Sequence, residues 1–405
     1  MIVTKTKRVI YGNEGKVVPK GIEVDLAKRD IYIQDSLNGE EEILNFTGII
    51  IEDKQIFVSF PKQYIPNKKD ISSDIELLLA TLIRHKQENQ DLYINKSINL
   101  KTNFPFNAFS EIFDYYKKYG VYKEDNTKIQ KGYSGKVAWK NTIQSSKKVI
   151  SKNGLIFLPL QIKIIDRKDT LLSEFMIYAI DYTLELFYTL WKKPLINGYI
   201  LQKKYINNKA YVIEQLHSIE KNLYKDMHKR LVSSLIDFYE NITSGGQYFI
   251  KHYSFNSIWE DMVEKYLNYN FTGVDNKKLC FQISLHKRNN FKKSIFYPNL
   301  VNKSQNIQPD HYLIDDEFQY IFDSKYYNEI NGINYKQIVY YFCLKNYQLG
   351  SLKHRQTINA LILPGNSRQQ IHFQFNPTYN NDESDFYIIE CYLNIKDVMK
   401  AYTRS

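Results

Sequence analysis

From Ser254 onward the apolar residues of this chain change period three times. Ser254–Tyr269 (SFNSIWEDMVEKYLNY) repeats at helical spacing, with Ile258, Met262 and Tyr266 on one stripe. Leu279–His286 and Glu317–Lys325 alternate as strands, Ile333–Gln348 returns to the helical period, and Thr357–Pro364, Gln370–Asn376 and Asp385–Ile395 alternate again. A helical stripe and a strand face must each be buried against another element. Helix, strands, helix, strands in that order predict an α/β core, a mixed sheet flanked by helices, over residues 251–405.

The preceding residues carry other patterns. Ile22–Ile33 and Phe46–Phe60 read as short strands, the second a hairpin around Asp53-Lys54. Helical periods follow at Asp74–Gln87, at Phe106–Gly120 with a closing glycine, and at Ala210–Ile242. Thr170–Trp191 is long and apolar enough to span a bilayer, but Glu174, Asp181 and Glu185 lie inside it, which predicts a buried helix and no membrane span. The expected organisation is a β-rich N-terminal domain (1–70), a mainly helical middle domain (71–250) and the α/β domain (251–405).

A chain of 405 residues has room for two or three domains, and an apolar fraction of 43% supplies a core. Lys and Arg exceed Asp and Glu by 11, a balance suited to a polyanion. The abundance of Lys, Asn, Ile and Tyr is also what A/T-rich codons produce, so charge is secondary to motif. Cys280, Cys343 and Cys391 form no CxxC or Cys/His spacing, and the histidines form no HxH or HExxH, which argues against zinc and against a disulfide framework. The N-terminus lacks the apolar run of a signal peptide, and a cytoplasmic protein is expected.

Within the α/β region, Pro309-Asp310 precedes Asp323-Ser324-Lys325. A strand points residues i and i+2 to one face, so Asp323 and Lys325 share a site. Asp310 reaches it if its strand pairs with the next through a turn near Asp315-Asp316. Mg²⁺, or Mn²⁺, requires hard oxygen ligands, which Asp310 and Asp323 offer, and Lys325 can orient or deprotonate water and offset charge at phosphorus. Glu260, on the preceding helix, is a further candidate metal ligand. Gln337 and Tyr341 lie one helical turn apart and can orient the lysine or touch phosphate. The basic run His286–Ser294, with Lys287, Arg288, Lys292 and Lys293, can hold a DNA backbone. Bland roles stand beside these: a turn residue for Asp310, a solvated acid for Glu260, a half-buried polar pair for Gln337 and Tyr341, a solvated turn for the lysines.

This array resembles the PD-(D/E)xK nuclease superfamily and, within it, McrC-like subunits. Gly135–Ile143 (GKVAWKNTI) is similar to the G-K-x-x-W-K-R-T-I segment of the LlaJI restriction endonuclease family, with Asn141 in place of the arginine. The residues alone read Trp139 and Ile143 as packing a helix start. The resemblance implies a Mg²⁺-dependent endonuclease subunit that cleaves foreign double-stranded DNA. It also implies a McrB-like AAA+ NTPase partner, which fits the lack of a GxxxxGK[ST] loop here, with the Phe46–Phe60 hairpin as a docking element. A second reading that the motifs also allow is a repair or recombination nuclease, and a non-catalytic DNA-binding or scaffold subunit is the reading from another class.

Overall fold

The computed structural model describes residues 7–404 except 37–38, 53, 89–98, 153, 189–192, 244–246, 316 and 348–355. Asp53 and Asp316 of the expected turns, Trp191 at one helix end and Gln348 at another lie outside the described residues. Two compact units form, one from residues 7–103 with 247–404 and the other from 104–243.

The chain opens with β1 (Arg8–Asn13), then the hairpin of β2 (Ile31–Ser36) and β3 (Gly39–Leu44). Next come β4 (Thr47–Ile51), β5 (Gln55–Phe60), α1 (Ile71–Glu88) and β6 (Leu100–Thr102). The β4–β5 hairpin expected from sequence is present, but every residue of both strands is buried. Phe46, Ile50 and Phe57 pack there with Val24 and Leu44. Its runs GIII and QIFVSF are apolar on both faces because both faces are covered. It cannot project into a partner, which corrects its expected docking role.

The second unit holds α2 (Phe106–Tyr119), which ends as expected at Gly120, whose N–H donates to the Tyr116 carbonyl at 2.8 Å. The region then departs from the helical expectation. It continues through β7 (Glu124–Lys131), β8 (Lys136–Val137), α3 (Trp139–Ser145), β9 (Lys147–Ser151), β10 (Gly154–Leu158) and β11 (Gln161–Lys168). Every residue of β7 (EDNTKIQK) is exposed, so no buried face imposes the alternation that marks a strand. On α3, Trp139 and Ile143 face solvent, against expectation. Ala138 and Thr142 are buried instead, with Thr142 Oγ1 accepting from the Gln161 N–H at 3.0 Å.

Helix α4 (Leu171–Leu186) is buried along most of its length. Its acids are used inside the protein: Asp181 accepts the N–H groups of Ile196 (2.6 Å) and Asn197 (2.7 Å), and Glu174 pairs with Lys203 and accepts from Tyr205 Oη at 2.8 Å. Among the described residues no helix is long and apolar enough to cross a membrane. The helix expected over Ala210–Ile242 is two, α5 (Lys209–Glu220) and α6 (Asp226–Asn241), parted by turns in which Asn222 and Leu223 donate to the Ile219 and Glu220 carbonyls.

The chain re-enters the first unit at β12 (Tyr248–His252), which pairs antiparallel with both β4 and β6 and gives a five-stranded sheet ordered β1-β5-β4-β12-β6. The approach is close at Gly48 (φ +155°), where a Cβ would lie 2.1 Å from the Ile250 carbonyl oxygen, so only glycine fits. Because β12 completes the N-terminal sheet, the first break between the compact units falls after Asn103 and not at residue 70, while the second lies close to residue 250.

Helix α7 (Phe255–Asn270) follows, then the hairpin of β13 (Phe271–Asp275) and β14 (Lys278–Phe281), which stops five residues short of the strand expected to reach His286. After them come β15 (His311–Ile314), β16 (Phe318–Ser324), α8 (Tyr335–Leu344), β17 (Gln356–Pro364), β18 (Arg368–Gln374), β19 (Tyr387–Leu393) and α9 (Ile395–Arg404), a helix not foreseen from sequence. The expected mixed sheet is present, ordered β15-β16-β17-β19-β18, with β16, β17 and β19 parallel and antiparallel strands at both edges. Helix α7 is fixed to it by Trp259, whose Nε1 donates to the Ile362 carbonyl at 3.3 Å.

Candidate active site

Strands β15 and β16 pair with His311 opposite Phe322, so Asp310, one residue before β15, comes beside the C-terminal end of β16. Asp310 Oδ2 accepts the Ser324 N–H at 3.1 Å. Asp323 is fully buried and Asp310 is 7% exposed. Three ammonium groups surround them. Lys325 ion-pairs with Asp323 Oδ2, and Lys336, in the first turn of α8, lies 3.4 Å from Oδ1. Lys293 stands 3.7 Å from Asp310 Oδ1 and 3.3 Å from Glu260 Oε2 on α7. An open cleft of about 560 Å³ is lined by Glu260, Lys293, Gln308, Asp310, Lys336 and Tyr340.

Two acids forced together in a buried place cannot both ionise freely. Burial raises the Asp310 carboxyl well above the usual carboxylate range, aided by a proton shared with Asp323, by the charge of Asp323 and by Glu260. For Asp323, burial also acts upward, but the shared proton and the ammoniums of Lys325 and Lys336 outweigh it and hold it low. Burial opposes the charge on Lys336 and Lys293, yet the neighbouring acids prevail and raise both. His311, wholly buried, is depressed to about 4 by desolvation and is neutral at pH 7, with Nε2 2.7 Å from Ser324 Oγ.

The donor chemistry fits a hard divalent cation: Asp310 and Asp323 are adjacent carboxyl groups that become anionic oxygen ligands once their shared proton leaves. Glu260 stands at the rim, held by Lys293. Among the described residues no three His, Cys, Asp or Glu side chains gather closely enough to form a complete metal cage. Such a cation would therefore rely on water or phosphate oxygens for its remaining ligands.

Gln337 and Tyr341 do not join this cluster. Gln337 is buried and donates to the Ile321 carbonyl (2.6 Å) and Asn359 Oδ1 (3.3 Å), tying α8 to β16 and β17. Tyr341 stacks on Phe386 at 3.9 Å and donates to Glu383 at 2.8 Å. The helix presents Lys336 and Tyr340 to the cleft instead, the pair one position earlier and likewise one turn apart, a face that their spacing made available but that no motif marked. Of the basic run, Lys293 reaches the cleft. Lys287 and Arg288 are exposed and hydrogen-bond Asn290 and Gln282, and Lys292 bridges Tyr312 through its backbone.

Residues 46–396 match the profile of a family described as LlaJI restriction endonuclease. Among solved structures, the chain is similar to a chain in an assembly of Thermococcus gammatolerans McrB AAA+ hexamers with bound McrC. The identity is 12% over 98% of this chain and 99% of that one, at a TM-score of 0.41. A chain of the Thermococcus gammatolerans McrBC complex aligns at 9% identity over 62% of this chain and 84% of that one, at a TM-score of 0.24. No curated protein matches.

Proposed function

The chain belongs to the LlaJI restriction endonuclease family, and from that premise we propose that it is the DNA-cleaving subunit of a restriction system, a Mg²⁺-dependent phosphodiester hydrolase with a PD-(D/E)xK centre. The observation that carries this reading is the pairing of Asp310 with Asp323 beside Lys325. Asp310 and Asp323 would hold Mg²⁺ or Mn²⁺, with Glu260 at the rim, and the bound cation would activate water and stabilise charge developing on phosphate. Lys325, held as an ammonium against Asp323, orients the attacking water and offsets charge developing at phosphorus. Lys336 and Lys293 receive phosphate oxygens, and Lys287, Arg288 and Lys292 hold the duplex backbone further out. Gln337 acts as a positioning residue, because it grips the backbone two residues before Asp323.

The partner in this reading is a McrB-like AAA+ NTPase. The 104–243 unit offers it a docking surface: Trp139, Ile143, Ile150 and Leu155 are all exposed there, and Ile150 is 87% so. Cleavage of double-stranded DNA is measured with the purified chain alone, and with a McrB-like AAA+ protein from the same organism plus Mg²⁺ and GTP or ATP. Cutting that requires the partner, the nucleotide and the metal, and that disappears in Asp323→Ala, is expected. Robust site-specific cutting by the lone chain overturns the partner assignment, and cutting by Asp323→Ala overturns the site.

A further inference from the structure

One exposed apolar pair stands at the tip of an arm whose returning leg lines the cleft, and it serves no purpose within the fold. Between Asp275 and Asp310 the sequence contains seven Lys or Arg and no Asp or Glu. The last part of this stretch folds back on itself as a two-legged arm. Lys292 bridges Tyr312, and Phe296 bridges Ile307, both antiparallel. At the arm's base Phe296 meets the Tyr312 ring at 4.9 Å, and Phe296 and Ile307 pack against the buried cluster of Tyr312, Ile321, Tyr340 and Leu344. The root of the arm is thus part of the core.

The tip is not. Leu300 is 97% exposed and Val301 is 95% exposed. They are held outward by local polar bonds rather than by packing. Asn299 Oδ1 accepts the N–H groups of Val301 (2.8 Å) and Asn302 (3.3 Å), and Asn302 Oδ1 accepts from Ser304 N (2.9 Å) and Ser304 Oγ (2.7 Å). A branched apolar pair kept in water costs free energy unless something covers it. The returning leg supplies Asn306, Ile307 and Gln308 to the cleft wall and runs directly into Asp310. What enters the cleft therefore meets the arm.

We propose that Leu300 and Val301 form a wedge that enters between base pairs of the DNA held at this cleft, opening the stack next to the scissile region. The proposal rests on the nuclease reading above and adds how the duplex is held and deformed. The acid-free segment with its seven basic residues favours a polyanion over a protein surface, and apolar wedges of this size unstack a base step from the minor groove. Asn299 and Asn302, on either side, carry the polar groups that such a groove accepts.

The test uses the full chain carrying Asp323→Ala, so that DNA is bound and not cut, and two short duplexes of the same sequence, one perfectly paired and one with a central mismatch. A mismatched step is already weakly stacked, so a wedge spends less on opening it, and the parent is expected to bind it about tenfold more tightly. Leu300→Ala/Val301→Ala is expected to bind both duplexes equally, with the affinity for paired DNA kept within about threefold. Both side chains are exposed, so the fold is untouched, and Leu300→Phe, which keeps an apolar wedge, should retain the preference. A parent that binds DNA without preference, or a double variant that keeps it, overturns the wedge alone. A double variant that keeps the preference but no longer assembles with the AAA+ protein overturns it in favour of a protein contact. A parent that binds neither duplex overturns the nuclease reading as well.

Discussion

Asp310→Asn and Asp323→Asn should abolish cleavage alike and move stability in opposite directions. Asparagine mimics the protonated acid. At position 310 it can still accept the Ser324 N–H and donate to Asp323, and the weak contact with Lys293, 47% exposed, costs little. At position 323 the loss of the anion strands Lys325, whose side chain is only 17% exposed. Removing one partner of such a pair costs about 3 kcal/mol. The pH dependence gives a second signature. Asp310 has its carboxyl raised in the folded state, so above about pH 4 the unfolded chain releases a proton that the folded chain retains, and stability is lost as pH rises. A tenfold difference in proton affinity between the folded and unfolded chain is worth about 1.4 kcal/mol, so Asp310→Asn should match the wild type near pH 4 and exceed it by about 1–3 kcal/mol near pH 8. Urea denaturation of both variants across that range, beside a cleavage assay, measures all of this. If Asp323→Asn is neutral while Asp310→Asn loses stability with rising pH, the assignment of the shared proton is wrong.

Three further outcomes follow from other contacts. Lys251 and Asp30 form a buried pair at 2.7 Å, both side chains under 5% exposed, so Asp30→Ala should cost about 3–5 kcal/mol and Asp30→Ala/Lys251→Met should recover much of it; equal loss in both, by chemical denaturation, counts against a stranded ammonium. Gln337→Leu should cost about 1–3 kcal/mol and lower kcat more than KM, whereas Tyr341→Phe, which loses only the Glu383 bond, should leave kcat nearly unchanged. Trp139→Ala should leave thermal stability within about 0.5 kcal/mol of wild type yet weaken assembly with the AAA+ protein in analytical ultracentrifugation, because this indole is 58% exposed.

The C-terminal sheet was legible because its strands bury entire faces. TINALILP and DFYIIECYLNI have few alternatives, and the helical stripe of Ile258 and Met262 marks α7 equally well. The strands of the 104–243 unit were not legible, since β7 and β9 bury no residue and so carry no period. The partnership of β12 with β4 was hidden for another reason. It joins segments some 200 residues apart, and the only local sign is Gly48, whose need for close backbone approach cannot be told from an ordinary turn glycine. At the site, the i, i+2 rule brought Asp323 and Lys325 together, and the β15–β16 register added Asp310. The motif on α8 pointed to Gln337 and Tyr341, while the cleft received Lys336 and Tyr340. A helix face is fixed by its packing, and Tyr341 found its partner in Phe386.

The charges of the cleft divide its lysines into two kinds. Glu260, Asp310 and Asp323 face Lys293, Lys325 and Lys336, a set that would balance if all were ionised. Because Asp310 retains a proton more readily than an isolated acid, the balance tips positive, which suits an incoming phosphodiester and opposes a bound cation until that proton leaves. Lys293 and Lys336 are 47% and 51% exposed and can leave their acids for phosphate oxygens at little cost. Lys325, mostly buried, has no such freedom and stays with Asp323. DNA arrival therefore releases two carboxylate partners while the third lysine keeps its place, and each carboxylate left without an ammonium is a stronger ligand for a divalent ion. On this reasoning DNA and metal strengthen each other's binding, and metal affinity in the absence of DNA, read by calorimetric titration, should be weak until Lys293, the ammonium shared by Glu260 and Asp310, is removed.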